Sequence, residues 1–268
     1  MKVNIYKTKL PRDTAKFLKK LKTVDIENFN LALNKYIEFY KDTKSHKYDN
    51  KWDIDKFKPK GVKFNALYRF IKKQDYLIDR LVSQGYEIAR YRFKPNGRVI
   101  VGLGSESVRD ISMTLHWIYG MPYIPGQAIK GLLSNWMIAE GADSDEHFKL
   151  IFGDEENKGK VIFMDSYPND SNFTIKPDIM NPHYSDYYTS DREPPSDWQA
   201  TIPIHFFTLA DVEFNICLIY LEKDMENIKV CGKTLEDWLR EALKYGGVGA
   251  KTSLGYGTGN LRLIEGSR

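Results

Sequence analysis

Residues 123–131 read YIPGQAIKG, and the chain runs on as LLSNWMIA to Ala139. Ile129, Leu132, Leu133, Trp136 and Met137 recur at three- and four-residue spacing, which predicts a helix over about 127–139 with one apolar stripe. Pro125-Gly126 makes the turn into it, so the segment is a strand-to-helix junction. Backbone N–H groups left free at a helix start, together with the positive end of the helix dipole, favour a phosphate at this spot. Gln127, Lys130 and Ser134 lie opposite the apolar stripe, and Lys130 is placed to supply the counter-charge. The plainer alternative is an ordinary Pro-Gly helix start with a solvated lysine.

Working outward, residues 161–165, 204–209 and 212–220 read as strands, the last with Val212, Phe214, Ile216 and Leu218 alternating. Thr234 with Asp237 is a capping signature, and Leu235, Trp238, Leu239, Ala242 and Leu243 give the following helix its buried face. Gly246-Gly247 ends it, and 258–264 is a final strand. Before the first helix, 86–93 and 98–103 around Pro95-Asn96-Gly97 read as a hairpin. From Arg98 onward the order is therefore close to β-α-β-β-α-β with one extra strand, an α+β, ferredoxin-like (RRM-like) layout carrying a long insertion over 168–200. Fold alone does not give function.

The region 1–85 has a different character. Phe17, Leu18 and Leu21, then Phe29, Leu33, Tyr36, Ile37 and Tyr40, then Phe64, Leu67, Tyr68, Ile71, Ile78 and Leu81 repeat with helical spacing, while 41–60 breaks the pattern and reads as a loop. Two domains are expected: a basic helical region over 1–85 packed on a core domain over 86–268. Residues 1–100 carry 25 Lys and Arg against 11 Asp and Glu, whereas 101–268 carry 15 against 25, so a formal net charge of only +4 conceals a basic front on an acidic body. A clustered positive field attracts a polyanion; a lysine-rich solvated surface has the same composition.

Residues 246–257 read GGVGAKTSLGYG, five glycines in twelve residues. Such a loop reaches backbone conformations closed to other residues and can turn N–H groups toward an anion, with Lys251, Thr252 and Ser253 as side-chain donors. It is not a nucleotide-binding P-loop, because Tyr245 and Ala250 stand where that motif needs glycine, and because the loop follows a helix and leads into a strand. A polynucleotide phosphate is the better ligand, with a structural glycine turn as the alternative. The 168–200 insertion holds five prolines and the aromatics Phe173, Tyr184, Tyr187, Tyr188 and Trp198, with Lys176 and Arg192 against six acidic residues. It suits stacking on bases or docking on a protein better than gripping phosphate.

Other chemistries are not indicated. The five histidines form no metal-ligand register, and no metal or other cofactor is expected. Ser105 is no nucleophile elbow, since Ser107 stands where glycine is needed. Cys217 and Cys231 form no C-x-x-C pair and read as free thiols. No apolar run approaches the roughly 18 residues of a spanning helix and no signal-peptide core is seen, so a soluble, cytoplasmic protein without membrane contact is expected.

YIPGQAIKG followed by GGVGAKTSLGYG resembles the motif pair of the RAMP superfamily, the repeat-associated proteins of CRISPR systems. Residues 102–126 (GLGSESVRDISMTLHWIYGMPYIPG), 151–168 (IFGDEENKGKVIFMDSYP), 176–188 (KPDIMNPHYSDYY) and 194–198 (PPSDW) are similar to the head-end subunits of type III-B (Cmr) effector complexes. The resemblance spans most of 86–260; the N-terminal helices match only in being basic. It implies antiviral defence by RNA-guided targeting, with guide RNA and target RNA as partners beside other Cmr subunits: a backbone RAMP, the small helical subunit and a head RAMP neighbour. Carried over by position, Gln127, Lys130, His116, Gly247, Gly249, Lys251, Thr252, Ser253 and Tyr256 become candidate RNA contacts. His183, Tyr187 and Trp198 become candidate contacts of a thumb with the guide–target duplex or with a neighbouring subunit. The first helix departs from the family's S-[SIL]-K-G-x-x-R, with Gln127 and Ala128 for the serines and Ser134 for the arginine. His116 stands where the cutting backbone subunits carry aspartate, and imidazole does not replace a carboxylate on hard Mg²⁺. The resemblance thus implies a subunit that binds RNA without cutting it, with Asp110 as the nearby carboxylate.

A metal-independent endoribonuclease is the competing class, using His116, Lys251 and Tyr256 as acid and base groups beside a 2′-OH. A third reading gives the basic helices a protein partner only; steep salt dependence of RNA binding would argue against it.

Overall fold

The computed structural model describes residues 2–21, 23–38, 40–41, 48–49, 64–105, 107, 112–181, 183–184, 187, 194–196, 198, 201 and 203–264. In chain order the elements are β1 (Lys2–Asn4), α1 (Arg12–Leu18), β2 (Thr23–Asp25), α2 (Phe29–Asn34), β3 (Tyr40–Lys41), β4 (Tyr48–Asp49), α3 (Asn65–Ser83), β5 (Glu87–Pro95), α4 (Gly126–Ala139), α5 (Glu146–Phe152), β6 (Val161–Phe163), β7 (Tyr167–Pro168), β8 (Thr174–Met180), β9 (Ile204–Ala210), β10 (Phe214–Tyr220), β11 (Lys229–Val230), β12 (Lys233–Thr234), α6 (Leu235–Glu241) and β13 (Gly259–Leu263).

The central sheet runs β13-β5-β10-β6, with β7 also paired to β10, and every neighbour is antiparallel. Alternation along β5 sets its two faces. Ala89, Tyr91 and Phe93 are buried in the main core, while Arg90, Arg92 and Lys94 point the other way. Ile129, Leu133 and Met137 of α4 and Leu235, Trp238 and Leu239 of α6 lie in the same core. Gly126 starts α4 so close to β6 that a Cβ there would fall far inside contact distance of the Phe163 carbonyl oxygen, which is why the turn into this helix is glycine. Thr234 and Asp237 cap α6 reciprocally, and the helix ends in a wider turn over Ala242–Gly246.

The opposite face is partly covered by α3. Ile78 packs on Ile88, Cys217 and Ile219, and Asp75 accepts from Arg90 at 2.6 Å. Burial pushes the Cys217 thiol up to about 12. Phe29 and Leu33 of α2, with Phe64 and Leu67, join the main core, so the N-terminal region shares its apolar interior with the sheet. Asn28 both caps α2 and donates to the Trp117 and Ile118 carbonyls.

Three readings need correction. Residues 98–103 are not a hairpin partner of β5; Val99 bridges Leu209 instead, and β5 pairs with β10 and β13. Within 168–200, residues 174–180 are not loop but a strand paired over seven positions with β9. Helix α1 has no buried residue, and Phe17 is 74% exposed and Leu21 55% exposed, so their helical spacing marks no core face. Of the 41–60 segment, only residues 41, 48 and 49 are described, as parts of β3 and β4.

Candidate nucleic-acid interface

By the pairing registers, β5 and β7 run to the start of β10, β13 begins opposite the end of β5, and β6 ends opposite Leu218, midway along β10. This edge therefore collects the segments 96–125, 164–173 and 247–258, among them the turn into α4 and the glycine loop.

The glycine loop folds back on the segment after β5. Ala250 N–H donates to the Ile100 carbonyl at 2.8 Å, Gly257 N–H to Arg98 O at 2.9 Å, and Val248 N–H to Gly257 O at 2.9 Å. Gly249, at φ +101°, leaves no room for a Cβ against Ile100 O, and Gly257, at φ +68°, leaves none against Val248 O. Gly247 is likewise left-handed and tightly enclosed. These three glycines let the loop cross its own chain. The tip is different: Lys251 is left-handed at φ 57°, Thr252 and Ser253 follow in one tight turn, Leu254 is 71% exposed, and Gly255 faces open space.

Tyr256 turns away from the tip. Its hydroxyl donates to Asp178 Oδ2 at 2.7 Å, and Arg98 Nη1 donates to the same oxygen at 2.8 Å. The carboxylate of β8 thus latches the glycine loop and the 98–101 segment to the β8–β9 hairpin, and this bond raises the pKa of Tyr256 so that it stays a phenol.

At the start of α4 the Gly126 N–H donates to Asp165 Oδ1 at 2.8 Å. The spot expected to favour a phosphate is therefore served by the chain's own carboxylate. Lys130 Nζ donates to the Phe152 carbonyl at the end of α5 at 2.8 Å, and Gln127 is exposed. α4 meets the start of the glycine loop through Trp136, whose ring stacks on Tyr245 at 6.2 Å.

His116 lies in an aromatic cluster with Phe70, Tyr119, Tyr123 and Tyr167, with ring centroids 4.9 to 6.3 Å away. Its Nδ1 accepts from the Ile118 and Tyr119 N–H groups at 3.2 and 3.3 Å, which puts the ring proton on Nε2. Burial lowers its pKa, opposed by Asp165, so the ring is neutral at pH 7. Burial first, and Asp165 second, raise Tyr123 and Tyr167. Among the described residues no group of three or more His, Cys, Asp and Glu side chains is placed to hold a metal ion. Asp110 lies outside the described residues.

Of the insertion's candidates, Trp198 is 86% exposed, Tyr187 is exposed, and the His183 ring stands 6.3 Å from Tyr184. They are not brought to Lys130 or the glycine loop by any contact among the described residues. Sequence reasoning missed Arg98, Asp165 and Asp178. Asp165 carried one signal, a carboxylate at the end of the strand predicted over 161–165; the observed β6 stops at Phe163, which leaves Asp165 in the turn beside the start of α4. Among the described residues no helix is long and apolar enough to cross a membrane.

The sequence model of the RAMP superfamily matches residues 92–260. The CRISPR system Cmr subunit Cmr6 of Pyrococcus furiosus is 32% identical over 237 residues, covering 65% of this chain and 67% of that protein. Its counterpart from Saccharolobus solfataricus is 28% identical over 213 residues, covering 78% and 68%. Among solved structures, a chain of the type III-B Cmr-beta complex bound to cognate target RNA is similar with a TM-score of 0.64 and 26% identity, over 77% of this chain and 69% of that one. With the family's motif pair at one end of one antiparallel sheet, the chain belongs to the RAMP superfamily and, within it, to the Cmr6 subunits of type III-B CRISPR systems.

Proposed function

We propose that the protein is a non-catalytic RNA-binding subunit of a type III-B Cmr effector complex that caps the backbone filament near the 3′ end of the guide RNA. The observation that carries this reading is the tip of the glycine loop. Left-handed backbone at Lys251 and Gly255 presents Lys251, Thr252 and Ser253 beyond the packed part of the loop, as a cation with two hydroxyls suited to a phosphodiester. Gln127, Lys130, His116, Tyr256, Gly247 and Gly249 then frame or support that path. The strand order β13-β5-β10-β6 with α4 and α6 packed in one core supports a ferredoxin-like RAMP domain, and the exposed His183, Tyr187 and Trp198 suit a thumb against the guide–target duplex or a neighbouring subunit. The complex bound to target RNA among the structural relatives supports RNA and other Cmr subunits as partners; within that reading the partners are guide and target RNA, a backbone RAMP, the small helical subunit and a head RAMP neighbour.

The non-cutting reading rests on His116. Its Nδ1 is engaged by two backbone N–H groups, and imidazole is a poor ligand for the magnesium a cutting subunit would use. The test is to titrate the purified protein into labelled single-stranded RNA with Mg²⁺ and run native and denaturing gels from the same tubes. A shifted, intact band that weakens in Lys251→Ala is expected. Discrete cuts would overturn the non-catalytic assignment, and no shift at low salt would overturn RNA binding.

A further inference from the structure

The sheet face turned away from α4 and α6 is only partly covered by α3. On the uncovered side, register places Arg92 of β5 directly opposite Arg262 of β13 and Lys94 directly opposite Asn260. Like charges opposite one another on adjacent strands are unfavourable. The Arg262 and Lys94 side chains are 74% and 72% exposed, and both lean on one carboxylate, Glu213, at 3.9 and 3.4 Å. Arg90, next along the same face, is already matched by Asp75. Among the described residues the strip therefore sets three cations against two carboxylates, Glu213 and, near Arg92, Asp170, with two guanidiniums directly opposite one another.

We propose that Arg92, Lys94 and Arg262 bind the phosphodiester backbone of an RNA strand, as a track distinct from the tip of the glycine loop. Residues two apart on one strand face lie about 6.8 Å apart and adjacent strands about 4.8 Å. That spacing lets Lys94 and the arginine pair meet successive phosphates of an extended strand. A phosphate bridging Arg92 and Arg262 relieves their repulsion, and guanidinium groups suit its paired oxygens. The strip begins where the chain leaves the glycine loop, since Asn96 N–H donates to Thr258 O and β13 starts at Gly259. The inference rests on the RNA-binding reading above and extends it to a second surface.

The test measures affinity of the full chain for a labelled oligouridylate across a salt series. Lys94→Gln with Arg262→Gln, both exposed, spares the fold; Arg92→Gln is added as a third variant. Each lost phosphate contact lowers the slope of log K against log salt by about 0.7, which is about 5-fold in affinity at 0.1 M salt, so about 25-fold is expected for the double variant. Glu213→Gln, which removes the competing carboxylate, is expected to tighten binding, whereas a purely structural role for its ion pairs predicts no gain. Wild-type binding that Lys251→Ala weakens, but whose slope the double variant leaves unchanged, would overturn the strip and leave the function standing. The same unchanged slope with loss of an acidic protein partner would make the strip a protein surface, also overturning it. No RNA binding by the wild type would overturn the function itself.

Discussion

Replacing Asp178 by alanine removes one oxygen that serves two donors. Tyr256 Oη at 2.7 Å and Arg98 Nη1 at 2.8 Å both lose their acceptor, and the glycine loop loses its tie to the β8–β9 hairpin. A hydrogen bond to a charged group is worth about 1.5–3 kcal/mol. The Arg98 and Asp178 side chains are 40% and 26% exposed, so solvent screening brings the ion pair down to about 0.5–1 kcal/mol. Counting the better-placed phenol bond at about 1–1.5 kcal/mol, the loss comes to about 2 kcal/mol. For a chain of this size that corresponds to a Tm lower by about 4–8 °C. Asp178→Asn, which keeps an acceptor without the charge, is expected to lose about half of this. The assay is thermal unfolding of Asp178→Ala, Tyr256→Phe and the double variant. Contact between the two side chains requires a coupling of about 1 kcal/mol in that cycle. Strict additivity, or an Asp178→Ala protein within 1 °C of the parent, would refute the latch.

The glycines of the loop are expected to separate by site. Gly249→Ala meets the Ile100 carbonyl as well as backbone strain and should destabilise by well over about 2 kcal/mol in urea unfolding, whereas Gly255→Ala faces open space and should cost only the left-handed strain of about 1–2 kcal/mol. Asp237 is held below the usual carboxylate range by the Thr234 hydroxyl, so its contribution is present above the unfolded carboxylate pKa and lost as pH falls through the depressed value. Stability of Asp237→Asn should accordingly depend less on pH in the acid range. For His116, burial favours the neutral ring, so an NMR titration should give a midpoint below the ordinary histidine value of about 6.5, and a midpoint above it would contradict the hydrogen-bond assignment. Lys130→Met should lower stability by about 1 kcal/mol through the lost bond to Phe152 O.

Much of the fold was legible because period speaks directly about local structure. The stripe of α4, the alternation of β10 and the Thr234–Asp237 cap all appear within a few residues of their predicted places. Pro95-Asn96-Gly97 misled because it has the composition of a hairpin turn, while the partner of Val99 is Leu209, and no local pattern encodes that pairing. The insertion read as a long proline-rich loop, yet Pro177 sits in a two-stranded sheet where proline is tolerated. At the candidate site, the glycine loop was visible from composition. Composition did not tell which glycines enclose the loop's own chain and which belong to its tip, nor that Arg98, Asp178 and Tyr256, from three separate segments, share one oxygen.

The thiol of Cys217 offers a clock for one motion. It lies under α3 beside Ile78, and its pKa of about 12 leaves almost no thiolate at neutral pH, so an alkylating reagent reaches it only when that helix lifts from the sheet. Cys231 is exposed and reacts first, serving as the internal reference. The second, slow labelling step then times the undocking of the basic helix, and any ligand that clamps this helix to the sheet lengthens that step without touching the first.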